Sequence, residues 1–432
     1  MVVAQGRKEE SLSTFRSLGV HNYRLWFIGA LISNIGTWMQ RTAQDWLVYD
    51  ILTPQSASAL GIVMALQLGP QLVIAPWAGL IADSMDRRRL LLMTQVAMAL
   101  LGVGLGMLVL VDVAVLWHVY AFALALGVVS AFDAPARQAF VSDLVREDYL
   151  PNAVALNSAS FNGARLIGPA VAGLLTAAVG PWWVFLINAL TFAAMVYVLL
   201  AMRASELRDQ PRSAPGKGRI RAGFRYVRQR PDLMVVMLAV FIVGTFGLNF
   251  AVFIAAMART EFGQDAGVFG ILSSVMAVGS VVGALLSARR EKPRLRFIFG
   301  ASAAFGIACV VAALAPTLWL FGLALVPVGL FALTLMTSAN AYVQTTTDPI
   351  MRGRVMALYF AIFLGGTPLG APVVGWVSDT FGPRWSLGVA AAAGLLAAAT
   401  GIFWAWKYHS VRLRYDRSAP RRLRLDHEVS PD

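Results

Sequence analysis

Residues 152–183 read NAVALNSASFNGARLIGPAVAGLLTAAVGPWW, and residues 354–385, offset by 202, read RVMALYFAIFLGGTPLGAPVVGWVSDTFGPRW. Laid side by side without a gap, the two stretches share eleven identities in 32 positions. Phe161 meets Phe363, Gly168 meets Gly370, and Gly173 meets Gly375. Both end on the same turn, Gly180-Pro181-x-Trp183 against Gly382-Pro383-x-Trp385. An Ala- and Gly-rich composition inflates identity, but it does not place a Gly-Pro-x-Trp turn between two apolar runs twice. Two same-direction repeats inside membrane-spanning sequence imply a binding site where the repeats meet.

The composition agrees with a membrane chain. Of 432 residues 58% are hydrophobic and only 14% charged, which excludes a soluble enzyme. A span needs roughly 20 apolar residues to cross a core of about 30 Å. Twelve runs qualify, at 24–51, 56–82, 89–111, 114–135, 152–179, 182–202, 233–258, 266–288, 296–314, 317–344, 354–379 and 384–408. The expected fold is an all-α membrane protein with twelve transmembrane helices in two pseudo-symmetric six-helix bundles, 24–202 and 233–408. Residues 1–23 form an N-terminal segment and 203–232 a basic linker. Within the linker, Ile220-Arg-Ala-Gly-Phe-Arg-Tyr-Val has the spacing of a short amphipathic helix. The Arg-rich tail 409–432 lacks a helical apolar face and is expected to be disordered.

A net charge of +13 would suggest nucleic acid in a soluble protein. Here the charges sort by side. With the N-terminus in the cytoplasm, all of the 36 Lys and Arg except Arg41, Arg165, Arg259 and Arg384 fall in cytoplasmic ends and loops. This is the positive-inside bias. Both termini are therefore expected in the cytoplasm, and the basic balance implies contact with anionic lipid, with no nucleic acid. The lone Cys309 allows no internal disulfide, and the four histidines are scattered. No metal site and no cofactor are expected. The absence of a His or Cys cluster or of paired carboxylates speaks against a membrane enzyme. No cleavable signal peptide is visible, since the first twenty residues are polar and charged, so the first span is its own insertion signal.

The loop between spans two and three reads Gly79-Leu-Ile-Ala-Asp83-Ser-Met-Asp86-Arg87-Arg88-Arg89. Together with twelve spans and a basic central loop, it resembles the major facilitator superfamily, whose motif here runs Gly-x-Leu-Ala-Asp-Arg-x-Gly-Arg-Lys. Ser84 and Asp86 depart from that pattern. The resemblance implies a conformational latch: Gly79 lets two helices approach, and Asp83 with Arg87 and Arg88 holds the cytoplasmic side closed. Asp133 and Arg137, at the cytoplasmic end of span four, are its expected partners; a solvated helix end is the alternative. The matching loop of the second half, from Gly283 to Arg289 and Arg290, has no aspartate.

In span five, Gly168-Pro169-Ala-Val-Ala-Gly173 looks like the helix-packing motif of proton-coupled exporters in the superfamily, with alanine at two glycine positions. Small residues at this spacing allow tight packing and Pro169 bends the helix. By that resemblance the element favours export over uptake, although Ala- and Gly-rich helices are also ordinary in membranes. The opening Phe15-Arg16-Ser17-Leu18, the run Gly36-Thr-Trp38-Met-Gln40 and Asp133-Ala-Pro-Ala-Arg137 are similar to bacterial exporters of the enterobactin-exporter type. The resemblance spans about residues 15–408 and implies a bacterial inner membrane. It departs at Ala123, near where many proton antiporters carry an arginine.

Span one is the most polar. Asn34, Trp38, Arg41 and Asp45 recur every three or four residues and share a helix face. An intramembrane carboxylate is a functional candidate by default. Burial and the neighbouring Arg41 pull Asp45's proton affinity in opposite directions, so the group could load and release a proton. The alternative is a static Arg41–Asp45 pair at the outer interface. Arg165, deep in span five, needs a partner or water; Asp45 is its candidate. Asn157, Asn162, Asn188, Gln67, Gln71, Asn249, Asn340, Gln344, Tyr359 and Phe363 are the other expected cavity residues. The expected function is a monomeric secondary transporter exchanging protons for a hydrophobic or amphipathic molecule, a siderophore or drug-like compound, by alternating access. An uptake symporter on the same fold and a non-transporting receptor are the rivals.

Overall fold

No water reaches a bare peptide group in the bilayer core, so a spanning backbone must satisfy its own hydrogen bonds. A computed structural model of the chain describes residues 15–207, 219–288, 294–409, 411–415 and 423–427. It meets this requirement with helices. The first half carries α1 (His21–Trp46), α2 (Ala57–Ser84), α3 (Arg87–Leu110), α4 (Leu116–Leu144), α5 (Leu150–Val179) and α6 (Pro181–Ala201). A linker helix α7 (Arg219–Arg228) leads into α8 (Pro231–Ile242) and α9 (Phe250–Ala256), which together make one span. Then follow α10 (Ala266–Ala288), α11 (Leu295–Ala313), α12 (Leu318–Thr346), α13 (Pro349–Phe381) and α14 (Pro383–His409).

Among the described residues eleven spans are long and apolar enough to cross a bilayer. The polar face of α1 keeps it out of that set; counted with it, the spans number the expected twelve. The repeated turn is visible in the backbone. Gly180 and Gly382 take φ of +89° and +103°, a region open to glycine, and Pro181 and Pro383 each start the next helix.

The chain packs as two compact units whose borders do not follow its halves. The first comprises residues 1–217, 249–278 and 367–386; the second comprises 218–248, 279–366 and 387–432. In the first unit, small residues bring distant segments into backbone contact. A Cβ on Gly270 would strike the Pro169 carbonyl, one on Gly61 the Ala371 carbonyl, and one on Gly375 the Ala57 carbonyl. At the end that carries the basic loops, Tyr23, Trp26, Leu91, Phe140 and Leu199 form an apolar core, and the Tyr23 hydroxyl donates to the Ala153 carbonyl at 2.8 Å. In the second unit, Cβ atoms on Gly279 and Gly283 would strike the carbonyls of Val326 and Leu330, so α10 and α12 lie backbone to backbone.

Several elements differ from expectation. α4 runs to Leu144 through Pro135, so Asp133 and Arg137 lie inside the helix and not at its end. Its continuation is amphipathic and escapes a count of apolar residues. Span seven is interrupted: α8 gives way to a π-helical turn at Val243–Gly247, and Asn249 leaves helical geometry with ψ of 48° before α9 begins. α1 also continues as a π-helical turn, Leu47–Leu52. The tail holds an antiparallel ribbon, β1 (Val411–Tyr415) with β2 (Leu423–His427), Leu413 opposite Leu425, where disorder was expected. Its apolar positions alternate with period two, a strand pattern that a search for helical period passes over.

Candidate functional site

The polar face of α1 meets α5 in the first unit. The approach is close, for a Cβ on Gly168 would lie 2.6 Å from the Trp38 Cβ. Trp38 gathers the charged groups around it: the Cζ of Arg41 lies 5.3 Å from its ring centroid and that of Arg165 lies 5.6 Å away. Phe161 meets the same ring edge-on at 5.9 Å. Asp45 is buried one helical turn beyond Arg41. Neither the Arg41–Asp45 pair nor the expected Arg165–Asp45 pair forms within 4.0 Å among the described residues. Both guanidiniums instead face an indole, an attraction that supplies charge stabilisation but no hydrogen-bond acceptor.

The other expected cavity residues separate into lining and packing positions. Asn34, Asn157 and Asn162 are half-buried on α1 and α5, with Asn162 Nδ2 donating to the Ser158 carbonyl. Asn188 is fully buried and donates to Gln40 Oε1, tying α6 to α1; it is a packing residue, corrected from the cavity wall. Gln67 is buried on α2, where a Cβ on Gly127 would press on its carbonyl, and Gln71 bonds back to that same carbonyl. Asn249 is buried at the break in span seven. In the second unit, the Asn340 side-chain oxygen accepts from Gln344. Tyr359 is also corrected: it is 2% exposed, stacks on Phe363 and donates to the Met336 carbonyl. A tyrosine with its hydroxyl satisfied by a neighbouring helix packs and does not line a lumen.

The latch takes a different wiring. Arg87 pairs with Asp143 of the extended α4 at 2.7 Å, with both side chains largely buried. Arg88 donates to the Leu199 and Leu200 carbonyls at the end of α6. Asp133 accepts from Thr94 and Gln95 of α3, each at 2.7 Å, and from its own Arg137 at 3.0 Å, so it is no partner of the 79–89 loop. Asp86, where the superfamily pattern has glycine, caps α3 through the Arg89 amide. The side chains of Gly79 and Asp83 lie outside the described residues, as do Arg289 and Arg290. At the same end of the second unit, Asp232 takes Arg230 on both oxygens, at 2.9 and 2.7 Å, and accepts from Tyr342 at 3.0 Å. Those bonds push the Arg230 pKa above its ordinary value.

The opposite end of the first unit holds contacts that the sequence reading passed over. Asp379, at the end of α13, accepts from the Ala57 amide at 2.7 Å, the Ser58 amide at 2.9 Å and the Ser56 hydroxyl at 3.2 Å. It thereby caps the N-terminus of α2, where a negative charge is favoured. Asp50 pairs with Arg259, Glu261 with Arg384, and the Tyr49 and Thr260 hydroxyls share a hydrogen bond of 2.6 Å. The signal was present: Arg259 and Arg384 are the two arginines that break the charge bias at loop positions.

Comparison with known proteins agrees with this architecture. The staphyloferrin A transporter of Staphylococcus aureus (strain NCTC 8325 / PS 47) is 25% identical over 362 residues, covering 83% of this chain and 90% of the relative. Enterobactin exporter EntS of Escherichia coli O1:K1 / APEC is 27% identical over 331 residues, covering 75% and 78%. Among solved structures, a bacterial homolog of the human lysosomal transporter Spinster, inward-facing, superposes with a TM-score of 0.69 at 17% identity, covering 90% and 98%. A D-xylose–proton symporter superposes with a TM-score of 0.69 at 13% identity, covering 90% and 97%. These structures share the fold. A family profile described as transmembrane secretion effector matches residues 12–418. The chain is therefore a multi-pass membrane transporter, not an enzyme, and belongs to the transmembrane secretion effector family of the major facilitator superfamily.

Proposed function

We propose that this transporter is a proton-coupled exporter of an amphipathic small molecule, siderophore-like or drug-like, working by alternating access. Both termini would lie in the cytoplasm of a bacterial cell, as the placement of its arginines suggests. The observation that carries the reading is Asp45: a carboxylate buried in a membrane span, without an ion pair within 4.0 Å and one turn from Arg41. Burying such a group is costly unless it is paired, wet or protonated. Alternation between a dry and a wet surrounding would therefore bind and release a proton there. The named activities of the staphyloferrin A and enterobactin relatives support a siderophore-like cargo. The tight contact made by Gly168, Pro169 and Gly173 supports export. Uptake with a proton is the second reading, favoured by the likeness to the D-xylose–proton symporter.

The test is dye efflux from intact cells and uptake into everted vesicles, comparing wild type with Asp45→Asn and with a proton uncoupler. Loss of movement in both arms is expected. Movement that survives Asp45→Asn while obeying the uncoupler would shift the proton to another group. Accumulation by intact cells in place of efflux would establish the symporter.

A further inference from the structure

Arg41 and Arg165 have no hydrogen bond and no ion pair among the described residues, and the Nε of Arg41 is buried without a partner. Arginine stays charged in proteins and offers five donors in a planar fork. Arg165 sits mid-way along the 30-residue α5, so its charge lies deep in the span. Two like charges drawn to one indole repel each other, and Trp38 provides no acceptor for their N–H groups. Asp45 is a single carboxylate beyond 4.0 Å from both, and cannot neutralise two guanidiniums. An intramembrane charge of this kind requires a counter-charge, and the helices that hold these two supply none within contact. Trp38 and Phe161 are fixed beside them by the close α1–α5 approach, and Phe161 leaves 48% of its surface free.

We propose that Arg41 and Arg165 form a receptor for a carboxylate or similar oxyanion on the cargo, whose apolar body rests against Trp38 and Phe161. The inference rests on the transporter reading and specifies its cargo: an organic anion with an aromatic or aliphatic body. The planar forks suit bidentate oxyanion recognition, which a lysine offers only as a point charge.

The full chain in zwitterionic nanodiscs would be titrated with 1-pyrenebutyrate and with neutral 1-pyrenebutanol. Binding is read as tryptophan-sensitised pyrene emission after subtraction of empty discs. Wild type is expected to favour the anion by at least about tenfold. Arg41→Gln and Arg165→Gln should each bring the ratio toward one, while Arg165→Lys, which keeps the charge, retains most of it. Equal affinity for the two probes in wild type, or an unchanged preference in both glutamine variants, overturns the receptor. Transport of both probes is followed in proteoliposomes under an imposed proton gradient. Pumping without anion preference sinks the receptor and leaves the exporter; preference without pumping upholds the receptor and sinks the exporter.

Discussion

Removing the Asp379 carboxylate should loosen the N-terminus of α2 by an amount the structure sets. Asp379 takes two backbone amides and one hydroxyl, and Ser56 separately accepts from the Ala59 amide, so the first turn keeps one cap when Asp379 is lost. Charge-assisted hydrogen bonds contribute about 1.5–3 kcal/mol each in isolation, but truncating a helix cap costs about 0.5–2 kcal/mol in practice. The surviving Ser56 cap argues for about 2 kcal/mol in Asp379→Ala. Asp379→Asn keeps an acceptor and loses chiefly the interaction with the helix dipole, about 0.3–1 kcal/mol. Ala57 is 0% exposed, so a cysteine there reacts only when this end opens. In a Cys309→Ala background, which leaves no other thiol, maleimide labelling of Ala57→Cys in detergent should be faster by about 30-fold with Asp379→Ala and about 2- to 5-fold with Asp379→Asn. Labelling within twofold of the parent in Asp379→Ala, or an asparagine effect equal to the alanine one, would refute the capping argument.

Two further outcomes follow from the same unit. Gly270→Val places a branched side chain against the Pro169 carbonyl and should cost about 1–3 kcal/mol through overpacking, seen as loss of the monodisperse peak in size-exclusion chromatography. Gly300→Ala, where nothing lies within 4 Å of the added Cβ, should leave that peak intact. A double-mutant cycle on Asp50→Asn and Arg259→Gln should give a coupling of only about 0.5–1 kcal/mol, because the Arg259 side chain is 37% exposed. The lone thiol of Cys309, 1% exposed, reports the melting when it reacts with a dye, and additive effects would show the pair to be decorative.

The parts of the fold that were legible in the sequence rest on period and length. Apolar runs gave the spans, and the recurring Gly-Pro-x-Trp gave the repeat because its backbone need, a positive φ followed by a fixed one, admits few residues. What escaped rests on contacts between segments far apart in the chain. Asp133 was placed at a helix end because α4's amphipathic last turns do not count as apolar, and its three partners come from α3 and from Arg137. Asp143 was overlooked for the same reason. Spacing put Trp38, Arg41 and Asp45 on one face correctly, but could not say whether Arg165 would meet the carboxylate or the indole. Asn188 and Tyr359 illustrate the limit: a polar side chain in a span looks like a lining residue until its partner, Gln40 or the Met336 carbonyl, is in view.

The arginines tie these strands together. In a chain whose basic residues crowd one set of loops, Arg41, Arg165, Arg259 and Arg384 stand apart, and each departure from the bias carries a cost in insertion or desolvation. Such costs persist where something offsets them. Arg259 and Arg384 meet Asp50 and Glu261, so their offset lies within the protein and their role is to hold segments together. Arg41 and Arg165 have only Trp38 between them, and no acidic group within 4.0 Å. The same argument that makes the first pair structural makes the second pair functional: a charge the fold leaves unpaired must be met by what the protein carries.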